Sequence, residues 1–397
     1  MSNLAELQCA RAEECLTVDL TTGQLRLAIE SCQGRVEDFL GFAARANPRR
    51  AFLFLSKVLG KHYPVRPANM EATHTALAKQ VPCVEGPVVF IGMAETATGL
   101  GQGVFESWLT AHPGIEALYL QTTRYRVNGT EPLIFEESHS HAPRVFLHLP
   151  PEPQRLSACR AAKHVVLVDD ELSTGNTFVN LVRVLRTALP ALADVHLATI
   201  ADFMGETRRT ALSQIMGLPC TVGALLRGSW EFKANGATAA SSMAQCNAGQ
   251  EVWLEDTGYG RLGRSNLLVV PHQLLDSLSL EPVDGPTLVL GIGEFMHAAF
   301  ALGRGLEQRG VDVRVQATTR SPILRWGAVK HVLSVPDTYG ESLQNYLYNV
   351  QQPGQYARVL ICHETTPDAS LFELARMLKG RLIHFLPDDD AKEIPVC

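Results

Sequence analysis

The chain has 397 residues, of which 46% are hydrophobic and 19% charged, and its formal net charge is -6. At roughly 150 residues per domain this length predicts two domains, and the apolar content excludes a disordered chain. The negative charge without a long basic run argues against nucleic acid as a partner, and no apolar run approaches the roughly 20 residues of a membrane-spanning helix.

Short β-branched runs alternate along the chain with longer segments whose apolar residues have helical spacing. The runs typical of buried parallel strands are residues 88–92, 165–169, 195–200, 287–291, 311–318 and 358–361. The helical segments are residues 36–46, 103–109, 177–188, 296–308 and 370–379. This alternation predicts an α/β fold with right-handed crossovers and helices on both faces of the sheet.

Residues 233–250 interrupt this pattern, because Met243 is the only large apolar residue among them. A small, polar composition is typical of a linker. The sequence therefore predicts one domain over residues 1–232 and a second over residues 251–397.

Three segments of the first domain have counterparts in the second, in the same order. GPVVFIG from Gly86 matches GPTLVLG from Gly285, LYLQTTRY matches RVQATTRS, and VLVDDELSTG from Val166 matches VLICHETTPD from Val359. We interpret the matches as a duplicated α/β unit with a diverged second copy. The alternative is the strand–Gly–helix pattern that unrelated α/β domains share.

The segment VVLVDDELSTGNT, residues 165–177, carries the clearest chemistry. It consists of an uncharged run, two acidic residues, a short polar loop and the start of a helix. Such a segment is expected at the carboxyl ends of the strands, where ligands bind to this kind of sheet. Hydroxyls, backbone N–H groups and a helix N-terminus suit a phosphate, and Gly175 lets the backbone approach it. Asp169 and Asp170 suit sugar hydroxyls or Mg²⁺ instead. Two simpler alternatives remain: the polar loop only caps the following helix, and the two acidic residues are only a solvated strand end.

This segment resembles the phosphoribosyl-pyrophosphate (PRPP) motif of type I phosphoribosyltransferases. The resemblance covers roughly residues 35–232 and implies a Rossmann-like parallel sheet with a hood. It implies that Asp169 and Asp170 bind the ribose hydroxyls and act in catalysis. The loop that would bind the 5-phosphate consists of Ser173, Thr174, Gly175, Asn176 and Thr177. Asn176 departs from the family, which often has a smaller residue there.

An earlier strand–loop–helix, VVFIGMAETATGLG at residues 88–101, lies where that family binds pyrophosphate through backbone amides. The pyrophosphate loop implied by the resemblance consists of Ala94, Glu95, Thr96, Ala97, Thr98 and Gly99. The alternative is a glycine-rich helix start without a ligand.

Residues 122–141 match the mobile loop of the same family. Within them, Asn128-Gly129 predicts a hairpin turn between two strands. The resemblance gives Arg124 a catalytic role, and Arg124 and Arg126 would neutralise the departing pyrophosphate. Solvated hairpin charges are the alternative.

Over nearly its full length the chain resembles the orotate-phosphoribosyltransferase-like proteins found with bacterial tellurium- and stress-resistance gene clusters. In those proteins a phosphoribosyltransferase domain precedes a domain with a Thr-Arg-Ser-Pro motif, which here is residues 319–322. The string at residues 47–67 also resembles that group. The resemblance implies a second, divergent Rossmann-like α/β domain.

The acceptor pocket of the family lies under the hood, here residues 47–67 and 220–232. The first stretch is basic through Lys57, Lys61, His62 and Arg66. This charge suits an acidic or phosphorylated acceptor, and the alternative is a helix with a solvated basic face. Phe203 would stack on a heterocycle or fill the core.

In the second domain, Arg320, Glu294 and the loop 258–264 are candidates for an anion site. Pairing of the two domains is the alternative role for these residues. Cys362-His363 stands where the first domain has its acidic pair. Neighbouring strand residues point to opposite faces, which argues against catalysis by Cys362 and His363 together.

These features imply Mg²⁺-dependent transfer of a 5-phosphoribosyl group from PRPP to an unidentified nitrogenous base or small-molecule acceptor, with release of pyrophosphate. Mg²⁺ would be held through PRPP near Asp169 and Asp170, without direct metal ligands of its own from the protein. A PRPP-sensing regulator without turnover is the alternative, and the lack of a GxxxxGK[ST] motif disfavours ATP chemistry. Nine scattered cysteines without a CxxC, and a start unlike a secretory leader, lead us to expect a cytoplasmic protein that does not bind membranes. A homodimer is left open.

Overall fold

The computed structural model describes residues 14–44, 51–136, 144–235, 251–255, 257–351 and 354–395. Most of the predicted linker, residues 236–250, and the end of the predicted mobile loop, residues 137–141, lie outside these ranges. None of the helices within them is long and apolar enough to cross a membrane.

The first domain contains a large mixed sheet flanked by helices. The strands of the first domain, inside and outside this sheet, are β1 (Glu14–Leu20), β2 (Gly23–Cys32), β3 (Leu40–Ala44), β4 (Phe52–Ser56), β5 (Val88–Gly92), β6 (Ala117–Thr123), β7 (Arg126–Val127), β8 (Leu133–Glu136), β9 (Arg144–Leu147), β10 (His164–Leu172), β11 (Asp194–Asp202) and β12 (Cys220–Ala234). Its helices are α1 (Val36–Phe39), α2 (Pro67–Ala78), α3 (Thr98–Ala111), α4 (Pro153–Ala161), α5 (Asn176–Ala188) and α6 (Glu206–Met216).

The strand order of this sheet is β1-β2-β12-β11-β10-β5-β6-β9-β8. From β12 to β6 the neighbouring strands are parallel, and antiparallel strands extend both edges. Strand β5 is buried along its whole length, as expected for a parallel strand covered on both faces. Val168 of β10 pairs with Gly92 of β5, so the segments that follow these two strands begin side by side.

The second domain repeats the central part of this arrangement. Its strands are β13 (Trp253–Leu254), β14 (Thr287–Gly291), β15 (Val313–Ala317), β16 (Val332–Val335), β17 (Asn345–Tyr348), β18 (Arg358–His363), β19 (Arg381–Phe385) and β20 (Ala391–Ile394), and its helices are α7 (His272–Leu280), α8 (His297–Glu307) and α9 (Ala369–Leu378). The order β15-β14-β18-β19-β20 corresponds to β6-β5-β10-β11-β12, except that β20 is antiparallel. Duplication of one unit remains our interpretation of this correspondence.

The two domains are packed against each other. Helix α8 contacts α2 and α3, and β13 extends from the second domain to pair with β7. Val65 and Met70 of the first domain belong to a hydrophobic cluster otherwise formed by the second. Pairing between the domains, one of the two roles expected for the second domain, is therefore present.

One predicted helix is wrong. Within the described part of this segment, residues 36–44, the helix covers Val36–Phe39, and Leu40–Ala44 form a strand that pairs with Phe52–Ser56. The ring of Phe42 packs against that of Phe54, with centroids 6.1 Å apart. Cross-strand packing of this kind decides the conformation where the apolar spacing alone is ambiguous. At the predicted linker, β12 continues to Ala234 before the described residues end at 235.

Candidate active site

The acidic pair lies at the carboxyl end of β10, in the middle of the sheet. Asp169 and Asp170 are half-buried, and the backbone N–H of Asp170 donates a hydrogen bond to Asp169 Oδ1 at 2.9 Å. The strand runs on to Leu172, three residues past the predicted end, because Glu171 and Leu172 still pair with β11. Asp169 and Asp170 thus lie within the strand near its carboxyl end, and their intermediate burial shows that neither is enclosed in the hydrophobic interior.

The loop after β10 has the geometry of an anion cradle. Helix α5 begins at Asn176, and Gly175 before it has φ +71°, a left-handed conformation that glycine adopts without strain. Gly175 has no side chain to cap the helix, and Thr174 Oγ1 accepts only a long hydrogen bond, 3.4 Å, from the Asn176 N–H. The first N–H groups and the positive dipole end of α5 are therefore without a side-chain cap, at the end of the short loop that follows the acidic pair.

Arg208 contacts this loop and was not singled out from the sequence. Its Nε donates to the Thr174 carbonyl at 3.1 Å, and its Nη2 donates to Asn176 Oδ1 at 2.7 Å. Arg208 comes from α6, which follows the next strand of the sheet. The ADFMGETRR segment after β11 carried a signal, since parallel strands end at one edge of the sheet, but the sequence does not show that its Arg208 reaches the loop after β10.

The front of the predicted pyrophosphate loop approaches the acidic pair. Thr96 Oγ1 donates to Asp170 Oδ1 at 2.9 Å, and the Ala94 N–H donates to Thr122 Oγ1 at 2.8 Å. Ala94, Glu95 and Thr96 are half-buried, and the peptide bond between Ala94 and Glu95 is cis. This loop, β10 and the end of β6 thus meet at one place.

The back of that loop is turned away from the site. Ala97 is buried and Thr98 begins α3. Thr98 Oγ1 donates to the Glu294 carbonyl at 2.8 Å, and a Cβ added to Gly99 would lie 3.0 Å from Met296 Cβ. Thr98 and Gly99 therefore contact the second domain.

The side chain of Glu95 is held by two cations. Its Oε1 lies 2.8 Å from Lys61 Nζ, and its Oε2 accepts a hydrogen bond from Arg320 Nε at 3.0 Å. Burial opposes ionisation of Glu95, but the charges of Lys61 and Arg320 outweigh it and hold the pKa of that carboxyl well below its usual range. Burial also lowers the pKa of Lys61.

Arg124 lies at the end of β6, on the same side of the sheet. Its backbone N–H donates to Glu294 Oε1 at 2.8 Å, and its guanidinium contacts the Arg144 carbonyl at 3.2 Å. Thr123 Oγ1 donates to Glu294 Oε2 at 2.6 Å. Arg126, by contrast, pairs with Glu251 and lies over aromatic rings.

The predicted hairpin around Asn128-Gly129 is wrong. A turn is present, with Gly129 at φ +76°, but the strands on either side of it do not pair. Strand β7 pairs with β13 of the second domain, and β8 pairs with β9. Partners distant in the sequence outcompete the local turn here, because they satisfy the backbone of both strands.

Comparisons with known proteins bear on the same ranges. Residues 39–229 match a family model described as phosphoribosyl transferase, and residues 265–378 match one described as TRSP domain C terminus to PRTase_2. The chain carries a phosphoribosyltransferase domain followed by a TRSP domain. The first domain is thus of the phosphoribosyltransferase type, and its main sheet is a mixed sheet with parallel central strands, as the fold of such enzymes requires. The predicted domain ranges, 1–232 and 251–397, enclose the two matches.

Solved structures similar to the transferase domain have low sequence identity. Adenine phosphoribosyltransferase from Rhodothermus marinus is 16% identical, with a TM-score of 0.31, over 48% of this chain and 95% of that chain. Adenine phosphoribosyltransferase from Trypanosoma brucei is 13% identical, with a TM-score of 0.33, over 47% of this chain and 77% of that chain. Orotate phosphoribosyltransferase from Francisella tularensis is 13% identical, with a TM-score of 0.29, over 48% and 82%. No curated protein matches the chain.

The expected anion site in the TRSP domain is wrong, because its cations already have carboxylate partners. Arg261 of the loop 258–264 is buried between Glu294 and Glu364. Arg320 pairs with Glu95 and Glu341. Charges that satisfy one another in this way are a structural ion network and leave no excess positive charge for an anion.

The basic stretch near the hood is not a solvated helix. Residues 57–64 are irregular, Lys61 is fully buried, and Lys61 Nζ donates to the Gly293 carbonyl at 2.7 Å. Burial lowers the pKa of His62 to about 3. Phe203 stacks on Phe54, with centroids 4.5 Å apart, and so fills the core.

Proposed function

We propose that the transferase domain binds PRPP where β5, β6 and β10 end, and transfers its 5-phosphoribosyl group to a nitrogenous acceptor. The hydrogen bond from Thr96 to Asp170 is the observation that carries this proposal. It joins the loop expected to bind pyrophosphate to the acidic pair expected to bind ribose, two segments 74 residues apart in the chain. The phosphate cradle follows the acidic pair directly, so one extended ligand can reach all three.

Each part of PRPP has a matching group in this arrangement. The half-buried carboxylates of Asp169 and Asp170 can accept hydrogen bonds from the ribose 2- and 3-hydroxyls. The 5-phosphate fits the N-terminus of α5 and the hydroxyls of the loop, where the helix dipole favours an anion. The loop residues in this role are Ser173, Thr174, Gly175, Asn176 and Thr177, with Arg208 beside them.

The transfer breaks the bond between ribose C1 and a pyrophosphate oxygen, and forms a bond from C1 to the acceptor nitrogen. Positive charge develops on the sugar and negative charge on the leaving group, so catalysis rests on positioning and electrostatics. Asp169 and Asp170 would hold the ring and stabilise its positive charge. Arg124 and the backbone of Ala94–Thr96 would receive pyrophosphate.

Mg²⁺ fits this site as an ion that arrives with PRPP. No group of three or more His, Cys, Asp or Glu side chains is arranged to hold a metal ion in the described ranges. The half-buried carboxylates of Asp169 and Asp170 offer the oxygen ligands that Mg²⁺ prefers, to complement those of PRPP. Bound there, Mg²⁺ would neutralise part of the pyrophosphate charge.

The biological setting is also part of the proposal. The Thr-Arg-Ser-Pro motif supports a place among the proteins of tellurium- and stress-resistance clusters, with an orotate-like acceptor as one candidate. Free thiols at Cys83, Cys159 and Cys220 are in keeping with a reducing, cytoplasmic location. A homodimer is left for measurement of the mass in solution.

The test measures turnover of PRPP. The full chain is incubated with PRPP, Mg²⁺ and a panel of nitrogenous bases or a cell extract, and pyrophosphate release is followed together with mass detection of the product. Release that depends on an added compound supports a transferase. Release without any acceptor indicates a hydrolase, and binding without release indicates a PRPP sensor.

The same assay assigns the site. We expect Asp169→Asn with Asp170→Asn to reduce turnover at least about 100-fold. Asp194→Asn is the matched control, since Asp194 lies at the opposite edge of the sheet and pairs with His164. Unchanged release from the double variant would refute the roles proposed for Asp169 and Asp170.

A further inference from the structure

The arginine of the Thr-Arg-Ser-Pro motif extends from the TRSP domain to the transferase site. Arg320 Nε donates to Glu95 Oε2 at 3.0 Å, across 225 residues of sequence. Glu95 is the middle residue of the half-buried part of the pyrophosphate loop. The motif that distinguishes the second domain therefore contacts a loop of the first.

The contact with Glu95 is one half of a clamp. Lys61 Nζ lies 2.8 Å from the other carboxylate oxygen and also donates to the Gly293 carbonyl of the TRSP domain at 2.7 Å. Glu95 and Arg320 side chains are 13% and 14% exposed, and that of Lys61 is fully buried. Ion pairs at such depth are screened little by solvent, so breaking one leaves an uncompensated charge.

Arg320 is itself fixed on its other side. Its Nη1 bonds Glu341, which also accepts a hydrogen bond from Tyr125 Oη at 3.0 Å. The ring of Tyr125 stacks on Tyr339, with centroids 4.8 Å apart. Because both edges of the guanidinium are engaged by carboxylates, Arg320 is placed to hold the loop and not to bind an anion itself.

The residues on both sides of Glu95 are hydrogen-bonded to other parts of the proposed site. The Ala94 N–H is tied to Thr122 and the Thr96 hydroxyl to Asp170. Restraining the Glu95 side chain therefore restrains the peptide groups that would contact pyrophosphate. A loop positioned in advance binds its ligand without a further cost in conformational entropy.

We infer that Arg320 is a positioning residue for the pyrophosphate half of the PRPP site, so that the TRSP domain is required for tight binding of pyrophosphate. This inference rests on the proposed function. It assigns to the second domain a role in the chemistry of the first.

The test compares three ligands by isothermal titration calorimetry with Mg²⁺: PRPP, pyrophosphate and ribose 5-phosphate. We expect Arg320→Gln to weaken PRPP and pyrophosphate at least about tenfold, and to leave the affinity for ribose 5-phosphate within about twofold. Arg320→Lys keeps the charge but cannot bridge Glu95 and Glu341 as the guanidinium does, so we expect the same selective loss to a smaller degree. If Arg320→Gln does not fold, Arg320→Lys decides the question.

Arg304→Gln is the matched control, because Arg304 also makes an ion pair across the domain interface, with Glu71 at 3.4 Å, but far from the loop. We expect it to leave all three affinities unchanged. Equal weakening of all three ligands by the Arg320 variants, or no weakening, would overturn the inference while the proposed function stands. Failure of the unaltered protein to bind PRPP would overturn the proposed function, and the inference with it.

Discussion

Strands β10 and β18 occupy the same place in their sheets but end in opposite environments. Asp169 and Asp170 at the end of β10 are half-buried and meet Thr96. Cys362 and His363 at the end of β18 are buried, and His363 stacks on His384 with centroids 4.7 Å apart. The same strand order thus supports a site in one domain and a packed core in the other.

The helices that follow these strands differ in the same sense. Helix α5 begins after Gly175, which has no side chain, whereas α9 begins after Asp368, whose carboxylate accepts a hydrogen bond from the Leu371 N–H at 2.9 Å. Glu364, just after β18, is bound by Arg261 and Tyr339. The TRSP domain therefore satisfies with its own carboxylates the positions that the transferase domain leaves without a carboxylate cap. Whether such a fold offers an anion site therefore depends on whether the N–H groups at its helix N-terminus are left uncapped, as much as on the strand order.

The largest effect is expected from breaking the ion network at the end of β18. Arg261→Met leaves Glu294 and Glu364 buried without their cation, and we expect the free energy of unfolding to fall by about 3–5 kcal/mol. Arg309→Met, which removes an exposed pair with Asp276, should cost less than about 1 kcal/mol. Urea unfolding measures both, and similar small losses would show that the network is not structural.

The second prediction tests the uncapped N-terminus of helix α5. Gly175→Asp would place a carboxylate at the start of α5, as Asp368 does at α9, and we expect ribose 5-phosphate to bind at least about tenfold more weakly than to Gly175→Asn. The two variants share shape and backbone strain and differ in charge. Equal calorimetric affinities of the two variants for ribose 5-phosphate would contradict binding of the phosphate at the N-terminus of α5.

The third prediction concerns Asp368, the N-cap residue of helix α9. Asp368→Ala should lower the free energy of unfolding by about 1 kcal/mol, and Asp368→Asn should restore most of it, since both Asp and Asn cap helices well. PRPP binding should not change in either variant. A gain of phosphate binding at α9 in Asp368→Ala, seen by calorimetry, would mean that the TRSP domain retains an anion site.

The last prediction concerns acid. Burial lowers the pKa of His363 from the ordinary 6.5 to about 4. Between these values the unfolded chain binds a proton that the folded chain does not, so stability falls as the pH drops from about 6.5 toward 4. His363→Gln should show a shallower loss in urea unfolding between pH 7 and 5. An unchanged slope would place the acid sensitivity in other buried histidines, such as His62 and His74.

Local patterns predicted the elements around the site well. The strand at residues 88–92 has the predicted bounds, and the helix predicted at 177–188 begins one residue earlier, because both are regular and buried on the expected faces. The helix predicted at 36–46 and the hairpin at Asn128-Gly129 were wrong, because distant strands supply the partners there. Arg208 was missed because its contact with Thr174 depends on how α6 packs beside α5.

The sequence by itself determined the α/β class, the acidic strand end, the polar loop with its glycine before α5 and the resemblance of the first domain to phosphoribosyltransferases, since these depend on residues close together in the chain. Only the tertiary structure showed that Arg320 pairs with Glu95 of the transferase domain, and that Glu294 accepts hydrogen bonds from Thr123 and Arg124 of that domain. A charge in a sequence does not reveal its partner, and here Glu95 is 225 residues from Arg320. Whether a buried cation binds a ligand or a carboxylate depends on which acidic side chains the fold brings within a few ångströms of it.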